Sequence, residues 1–425
     1  MNEALFQFIW ASKALGAGPF HLVDGRKVDI LHPGFQHLGA GPDFFHAKIR
    51  IDGLLWAGNV ELHLDEKGWR EHRHHIDPAY ENVILHVVLK AGAITRTALG
   101  RTVPVLEVGD FLPHELVSRY AKLMSRHQDV PCGALFQPVH ATMLDELAPD
   151  LWIQRLHARA DQITALVGQL AGDWHTALCI WVTRTLGGPQ NADGFEWVGR
   201  QLPWSRLWRC RGDADRVEAH VFGAAGFLLG KAKDEYHATL QREFALFGNP
   251  PKMTFPWQWG GVRPGAYPTV RLAMLSALVA GLGEWWEWFV HPPATETWMQ
   301  QMQLPLRPYW QTHVDFGKQA RRRQTAHIPQ SLLQHLLVNV ALPFQFAYAR
   351  WQGHTALMQD AAQRALDVKP GKHYITEVWK SLGWKVSNAQ QEQAAIHLFK
   401  QFCTHKKCLS CALGKHMLQS SEIQV

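Results

Sequence analysis

The sequence predicts an α+β protein in which a small N-terminal mixed-sheet module precedes a large, mainly helical region. Three observations lead there. Residues 20–109 carry short apolar runs of strand type separated by Gly, Pro and Asp-Gly turns. Within them, Val83–Leu89 (VILHVVL) is almost continuously apolar, as a strand buried on both faces is. Beyond about residue 111 the apolar positions recur at the 3.6-residue helical period.

Taken in order, residues 3–15 place Leu5, Phe8, Ile9 and Ser12 at helical spacing, and Gly16 with Gly18-Pro19 stops that helix. Strands are expected at Phe20–Val23, Lys27–Leu31, Phe44–Ile51, Leu55–Leu64, Val83–Leu89 and Val103–Val108, with Asp52-Gly53 as a hairpin turn. Helices are expected over Met143–Leu170, Trp174–Leu186, Ala219–Leu229, Val270–Leu282, Gln330–Trp351 and Ala389–Phe402. Breaks fall at Gly187-Gly188-Pro189, across 249–268 and over His291–Leu306. This divides the chain into a module over 1–115 and a helical region over 116–425, with no internal repeat.

The 425 residues are 47% hydrophobic and 19% charged, which places the chain among core-forming proteins and not among disordered ones. No apolar run reaches the roughly 18 residues that cross a bilayer, and acidic Glu3 opens an amphipathic pattern unlike a signal peptide. A soluble, cytoplasmic protein is the expectation. The net charge of +6 (43 Lys+Arg against 37 Asp+Glu) permits a nucleic-acid partner without demanding one. No Walker loop, strand-following GxGxxG, GxSxG elbow or HExxH helix is present, so kinase, ATPase, dehydrogenase, serine-hydrolase and zincin readings lose their usual support.

The segment that carries chemistry is Gly41-Pro42-Asp43-Phe44 followed by Gly58-Asn59-Val60-Glu61-Leu62-His63. An Asp opening one strand and an acid inside the next can hold a divalent cation, because Mg²⁺ takes hard oxygen ligands from one or two carboxylates. Asn59, Glu61, His63 and Asp65 share one face of the second strand, while Trp56, Val60, Leu62 and Leu64 share the other. Hairpin register then tests the site. A two-residue loop sets Asp43 opposite Leu62, on the wrong face; a three-residue loop sets it across from His63 and diagonal to Glu61. The site therefore requires the longer loop or a bulge, for which Gly58 is a candidate.

This arrangement resembles the PD-(D/E)xK nuclease superfamily, with Pro42-Asp43 as its first motif and Glu61-Leu62-His63 as its second. The stretch Trp69, His72, His74, His75, Asp77 and Tyr80 before VILHVV resembles the branch that contains very-short-patch repair endonucleases. The resemblance implies an αβββαβ core, with Asp43, Glu61 and the Leu62 carbonyl holding Mg²⁺ or Mn²⁺. It also sets His63 where the superfamily usually has Lys, and leaves Glu3 as an additional acid. Imidazole, unlike lysine, is mostly neutral at pH 7, so His63 can orient or deprotonate water, or mark a site that no longer cuts. The HxH of His72 and His74 can ligate a transition metal, although a solvated His-rich loop is the ordinary reading. Over nearly its whole length the chain is similar to an uncharacterised bacterial family, through GPDF, WAGNVELH, HRHHIDPAYENVILHVV and the terminal CLSCALG.

Cys403-x4-Cys408-x2-Cys411 is the second sharp feature, since two cysteines separated by two residues can aim both sulfurs at one metal. His405, His416 or the distant Cys132 can supply a fourth ligand. One upstream cysteine with three near the C-terminus resembles the iron–sulfur staple of some RecB-like nucleases, although Cys132 here follows the nuclease-like segment. A 4Fe–4S cluster and Zn²⁺ both stay open. Cys179 and Cys210 sit in apolar or Trp-rich surroundings and read as core. Lys48 and Arg50 beside Asp43, and the run Arg321-Arg322-Arg323, are candidate phosphate contacts. Arg263 and Arg271 follow the aromatic stretch Trp257–Trp259, a mixture that suits single-stranded or branched nucleic acid.

The function expected from all this is hydrolysis of phosphodiester bonds by a metal-dependent nuclease, on DNA rather than RNA. The alternatives are a nucleic-acid-binding protein that keeps the fold without the chemistry, and a protein-interaction scaffold built on its 19 Trp.

Overall fold

The structure, a computed structural model, describes every residue except 38, 93, 126–128, 248–254, 284 and 420–425. It is α+β, as expected, and divides into two compact units. The first comprises Met1–Phe136 together with Lys400–Val425, and the second is Gln137–Phe399. The expected division at 115/116 therefore differs in two ways: the first unit runs on to Phe136, and it recovers the C-terminal stretch.

Helix α1 (Glu3–Ala11) opens the first unit, with the Asn2 side chain accepting the Leu5 N–H at its N-terminus. It buries Leu5, Phe6, Phe8, Ile9 and Trp10. It stops short of the expected 3–15 because Ser12 caps it and Lys13 turns left-handed at φ 53°. Strands follow at β1 (Phe20–His21), β2 (Lys27–His32), β3 (Phe35–Gln36), β4 (Phe44–Ile51), β5 (Leu54–Asp65), β6 (Val83–Lys90) and β7 (Val105–Glu107). They form one sheet in the order β1-β2-β4-β5-β6-β7, with β3 paired to β4. The first members pair antiparallel, whereas β5, β6 and β7 run parallel.

Alternation along β5 sends Val60 and Leu62 to a core shared with Phe6 and Trp10 of α1, Phe44, Ile49, Leu85 and Val87. The opposite face, carrying Glu61 and His63, is covered by α2 (Gly68–Glu71) and the 3₁₀ turns His74–Ile76 and Pro78–Tyr80. Trp69 and Tyr80 seal that side against Val83 and Val103. As anticipated, β6 is buried from Val83 to Val88. The C-terminal return adds Phe399–Cys403 in a π-type turn and α9 (Ala412–Gln419), which packs on α3 (His114–Ser125).

The second unit is helical around one large core. Its helices include α4 (Pro138–Gln169), α5 (Trp174–Leu186), α6 (Pro268–Gly281), α7 (Gln330–Leu336) and α8 (Ala389–Leu398). Shorter helices such as Gly188–Gln201, Glu235–Phe247 and Thr355–Gln363 were not anticipated. The helical stretch Gln330–Gln352, 23 residues, is long and apolar enough to cross a membrane, which corrects the expectation that no such run exists. Its apolar window is 78% buried, and Leu333, Leu336, Val340 and Phe344 lie in the core.

Candidate metal centre

The β4–β5 turn is the two-residue loop, Asp52 (φ 45°) and Gly53 (φ 84°), with Ile51 opposite Leu54 and Ala47 opposite Gly58. A register shift then intervenes and sets Phe44 opposite Val60. The bulge that the site requires is therefore in β4, around Phe45 and the left-handed His46 (φ 59°), and not at Gly58. Gly58 has another role: a Cβ there would meet Ile84 Cγ2 at 2.4 Å and the Asn82 carbonyl at 2.7 Å. The shift brings Asp43 beside Glu61. The Asp43 N–H donates to Glu61 Oε2 at 3.0 Å, and the Leu62 N–H donates to Asp43 Oδ2 at 3.0 Å. Gln7 of α1 donates to Asp43 Oδ1 at 2.7 Å. In an extended strand the carbonyl lies on the same edge as the N–H, so the Leu62 carbonyl opens toward Asp43 as well.

Burial holds both carboxyls well above the usual range, and the charge of Glu61 lifts Asp43 further. Glu3 adds negative charge to both. A half-buried and a buried acid side by side form a pair that a divalent ion would relieve.

Glu61 Oε1 faces histidines. His74 Nε2 lies 3.2 Å from it and His63 Nε2 3.7 Å. His63 Nε2 is 3.1 Å from His72 Nδ1, and the ligand atoms of His63, His72 and His74 all lie within 4.8 Å of one another. Donors about 2.1 Å from one ion sit about 3.0–3.4 Å apart, depending on angle, so most of these spacings are edges of a coordination shell. His74 is buried, and neither of its ring nitrogens has a hydrogen-bond partner. Its ring is fixed from behind by stacking on Tyr80, with centroids 3.8 Å apart, and by the edge of Trp69. A buried imidazole with both nitrogens unsatisfied is costly unless a ligand takes one.

A hydrogen-bonded chain sets the state of His63. The Thr95 hydroxyl donates to Glu66 Oε1 at 3.3 Å, so it accepts from His86 Nδ1–H at 3.0 Å. His86 Nε2 must then accept from His63 Nδ1–H, at 2.9 Å. This leaves the lone pair of His63 on Nε2, aimed at Glu61 and His72. Burial pushes His63 down to about 2 and His86 to about 3, with neighbouring imidazoles adding to the shift. Both rings are neutral, as metal ligands must be. Gly68 gives His63 its space, since a Cβ there would lie 2.4 Å from His63 Cδ2. Thr95→Val is expected to remove the acceptor that orders this chain and to weaken metal binding about 10–100-fold. Titration against a competing chelator reads it, and unchanged affinity would exclude a role for the chain.

The structure thus gathers Asp43, Glu61, Leu62 and His63, and adds His72 and His74 as candidate ligands where the sequence favoured a solvated loop. His75 lies beside them, half-buried, with Nδ1 unsatisfied. Gln7, Glu66, His86 and Thr95 were missed; the one available signal was a histidine inside the apolar VILHVV run. Lys48 and Arg50 are exposed, five and seven residues along β4 from Asp43, and Arg50 approaches Asp29 at 4.0 Å. Arg321, Arg322 and Arg323 are exposed in the second unit, with Arg323 donating to Gln311.

The first unit also collects Cys132, Cys403, Cys408 and Cys411, all buried and none in a disulfide. Burial raises each thiol, Cys132 to about 12 and Cys408 to about 11; Cys408 and Cys411 lift Cys132 and Cys403 further, and Cys411 lifts Cys408. Cys132 is buried and under the influence of Cys408 and Cys411, whereas His405 and His416 are exposed. Gly414 lets the chain close tightly there, because a Cβ would meet the Cys408 carbonyl at 2.3 Å. Cys179 is buried in the core of the second unit, and Cys210 packs against that core.

No curated protein and no solved structure matches the chain. A family model described as "Protein of unknown function (DUF2851)" matches residues 3–373, and the chain belongs to that family.

Proposed function

We propose that this protein is a metal-dependent phosphodiesterase that cleaves nucleic acid, DNA rather than RNA. The observation that carries the reading is the convergence of Asp43 and Glu61 with the imidazoles of His63, His72 and His74 at the edge of a buried strand. The order of elements supports it: helix α1, the antiparallel strands β2, β4 and β5, a short helical crossover, then β6 parallel to β5. That is the αβββαβ order the nuclease resemblance implies. Of the Mg²⁺ and Mn²⁺ offered by the carboxylates alone, the histidines favour Mn²⁺, or another ion that accepts nitrogen such as Zn²⁺. Such an ion lowers the pKa of water and offsets charge on a phosphate. Glu61, His63, His72 and His74 would hold it. Asp43, fixed by Gln7 and the Leu62 N–H, completes the acidic pair with the Leu62 carbonyl beside it. His63 acts as a ligand more than as a base, because its other nitrogen is committed to His86. Lys48, Arg50 and Arg321–Arg323 remain proposed contacts to the nucleic-acid backbone.

The test is removal of metal by a chelator and its return. Cleavage of single- and double-stranded DNA is expected to vanish and to come back with Mn²⁺ or Zn²⁺ more than with Mg²⁺. Salt-sensitive DNA binding with no cleavage under any metal would instead favour the non-catalytic alternative. Absence of nucleic-acid binding would leave the interaction scaffold.

We also propose that the four cysteines hold a structural metal group. In a tetrahedral zinc site sulfurs sit about 3.8 Å apart. Among the described residues, only the histidine trio has three such ligand atoms mutually within 4.8 Å. The wider sulfur spacing favours an iron–sulfur cluster over zinc. Anaerobically purified protein is expected to contain iron and acid-labile sulfide in equal amounts and to lose both in Cys132→Ser; one zinc per chain without colour would reverse the choice. Six free cysteines fit a reducing compartment, and we place the protein in the cytoplasm on that ground.

A further inference from the structure

The sheet face that carries Glu61 and His63 continues past them as an open surface. Ala47, Ile49 and Ile51 of β4 point into the core, so Lys48 and Arg50 stand on the opposite face, as Glu61 and His63 do on β5, where Val60 and Leu62 point inward. Lys48 and Arg50 are exposed there, and Arg50 meets Asp29 only at 4.0 Å. Across β2 and β4, His32 is the partner of Lys48. Toward the start of β4 the two-residue strand β3 takes over as neighbour, with Phe35 opposite Phe45 and Gln36 opposite Phe44. Partnered residues of antiparallel strands share a face, and Phe44 is the one buried in the core. Phe35 and Phe45 therefore sit on the outer face, in line with Lys48.

The rings are held in place. Those of His32 and Phe35 have centroids 5.0 Å apart, and those of His37 and Phe45 4.6 Å apart. The Gly34 N–H donates to His32 Nδ1 at 3.0 Å, and His37 Nε2 lies 3.2 Å from the Ala40 carbonyl. Gly34, at φ 96°, lets the chain close on β4, because a Cβ there would meet the Phe45 carbonyl at 2.8 Å. Phe35 is nevertheless 65% exposed. The row abuts the acids. The His37 N–H donates to the Asp43 carbonyl at 2.8 Å, and the Gln36 amide donates at 3.2 Å to Gln7 Oε1, whose own amide holds Asp43. A fixed aromatic surface with a cationic flank suits an unpaired nucleotide strand, since rings stack on base faces and cations follow the phosphates. Bases inside a duplex are already stacked and offer it no face.

We propose that Phe35 and Phe45, flanked by His32 and His37, stack unpaired bases of a single-stranded nucleic acid whose phosphates follow Lys48 and Arg50. The strand is thereby led to Asp43 and Glu61, which makes single-stranded DNA the substrate in preference to duplex. That choice of substrate rests on the phosphodiesterase reading, whereas base stacking itself is read without metal or cleavage.

Fluorescence anisotropy of the full chain in chelator, at fixed salt, compares a labelled oligothymidylate with an abasic strand of equal phosphate count and with a duplex of the same length. The thymidine strand is expected to bind about tenfold or more tighter than the abasic strand, and tighter than the duplex. Phe35→Ala should close most of that gap without lowering the melting temperature, since the ring is exposed. Lys48→Gln should weaken both single strands alike, because phosphate contacts carry no base information. Equal binding of the thymidine and abasic strands, a duplex bound more tightly than either, or an undiminished gap in Phe35→Ala would overturn the platform. Cleavage with Mn²⁺, measured in parallel, reports on the metal centre separately. DNA cleavage without a base-dependent gap overturns the platform and leaves the phosphodiesterase standing; a gap that Phe35→Ala closes, without cleavage, supports the platform on a protein that binds and does not cut. A dimer that Phe35→Ala dissociates, with no base-dependent binding, would overturn it in favour of a contact between copies.

Discussion

Glu61→Gln is expected to cut metal affinity by at least about 100-fold and to take cleavage below detection. Even outer partners of a metal ligand are worth about 10–100-fold in affinity, and Glu61 Oε1 lies 3.2 Å from His74 and 3.7 Å from His63. The replacement keeps shape. An amide oxygen in the Oε2 position still accepts the Asp43 N–H, so the bulged register of β4 on β5 has no reason to change. In chelator the variant should melt no lower than the parent, because a carboxylate whose ionisation burial opposes has become neutral. A metal titration together with a melting curve separates the outcomes. Metal binding at parental strength would remove Glu61 from the shell and with it the basis of the proposed chemistry.

The second large effect concerns stability. Glu218 is fully enclosed in the helical unit, accepting from Trp310 Nε1–H at 3.0 Å and from the Tyr236 hydroxyl. Burial raises its carboxyl to about 7, against 4.5 for the free side chain, although Tyr236, Arg307 and Trp310 pull the other way. The sign follows from which state holds the proton more tightly. Below about pH 4.5 both folded and unfolded chains are protonated there and the group is neutral in its effect. As pH rises to 7 the unfolded chain releases the proton first, so stability falls, levelling above 7 at a cost of about 3 kcal/mol. Glu218→Gln removes this slope. Its amide oxygen can accept from Trp310, while its NH₂ donates to a Tyr236 hydroxyl that reverses its role. Chemical denaturation of parent and variant at several pH values is expected to show a gap that opens between pH 5 and 7 in the variant's favour. A gap independent of pH would mean that Glu218 titrates normally.

Much of the candidate metal centre was legible because strands alternate strictly: Glu61 and His63 had to share a face, and Gly41-Pro42-Asp43 had to lead into the adjacent strand. The register arithmetic showed that a plain hairpin fails and that a bulge was needed. It could not locate the bulge, which depends on His46 adopting a left-handed backbone that its sequence does not announce. The histidines of the crossover read as a wet loop because nothing local reveals that Trp69 and Tyr80 clamp them. Cys132 and the tail cysteines are brought together only by tertiary packing. The long helices α4 and α5 were visible from periodicity, whereas short helices such as Trp285–Phe289 and Thr295–Gln301 span too few turns to show a period.

The first unit's two-piece construction has a consequence for how the protein is made. At about 5–20 residues per second, tens of seconds pass between synthesis of Phe136 and of Lys400. Throughout that interval the buried side of α3, with Leu116 and Leu123, lacks its cover from Leu413, Met417 and Leu418 of α9. The helical unit, whose sequence is continuous, can fold while the sheet is still waiting. A nascent chain of this kind is a natural client for ribosome-associated chaperones, and loss of the last few dozen residues should harm the module that was synthesised first.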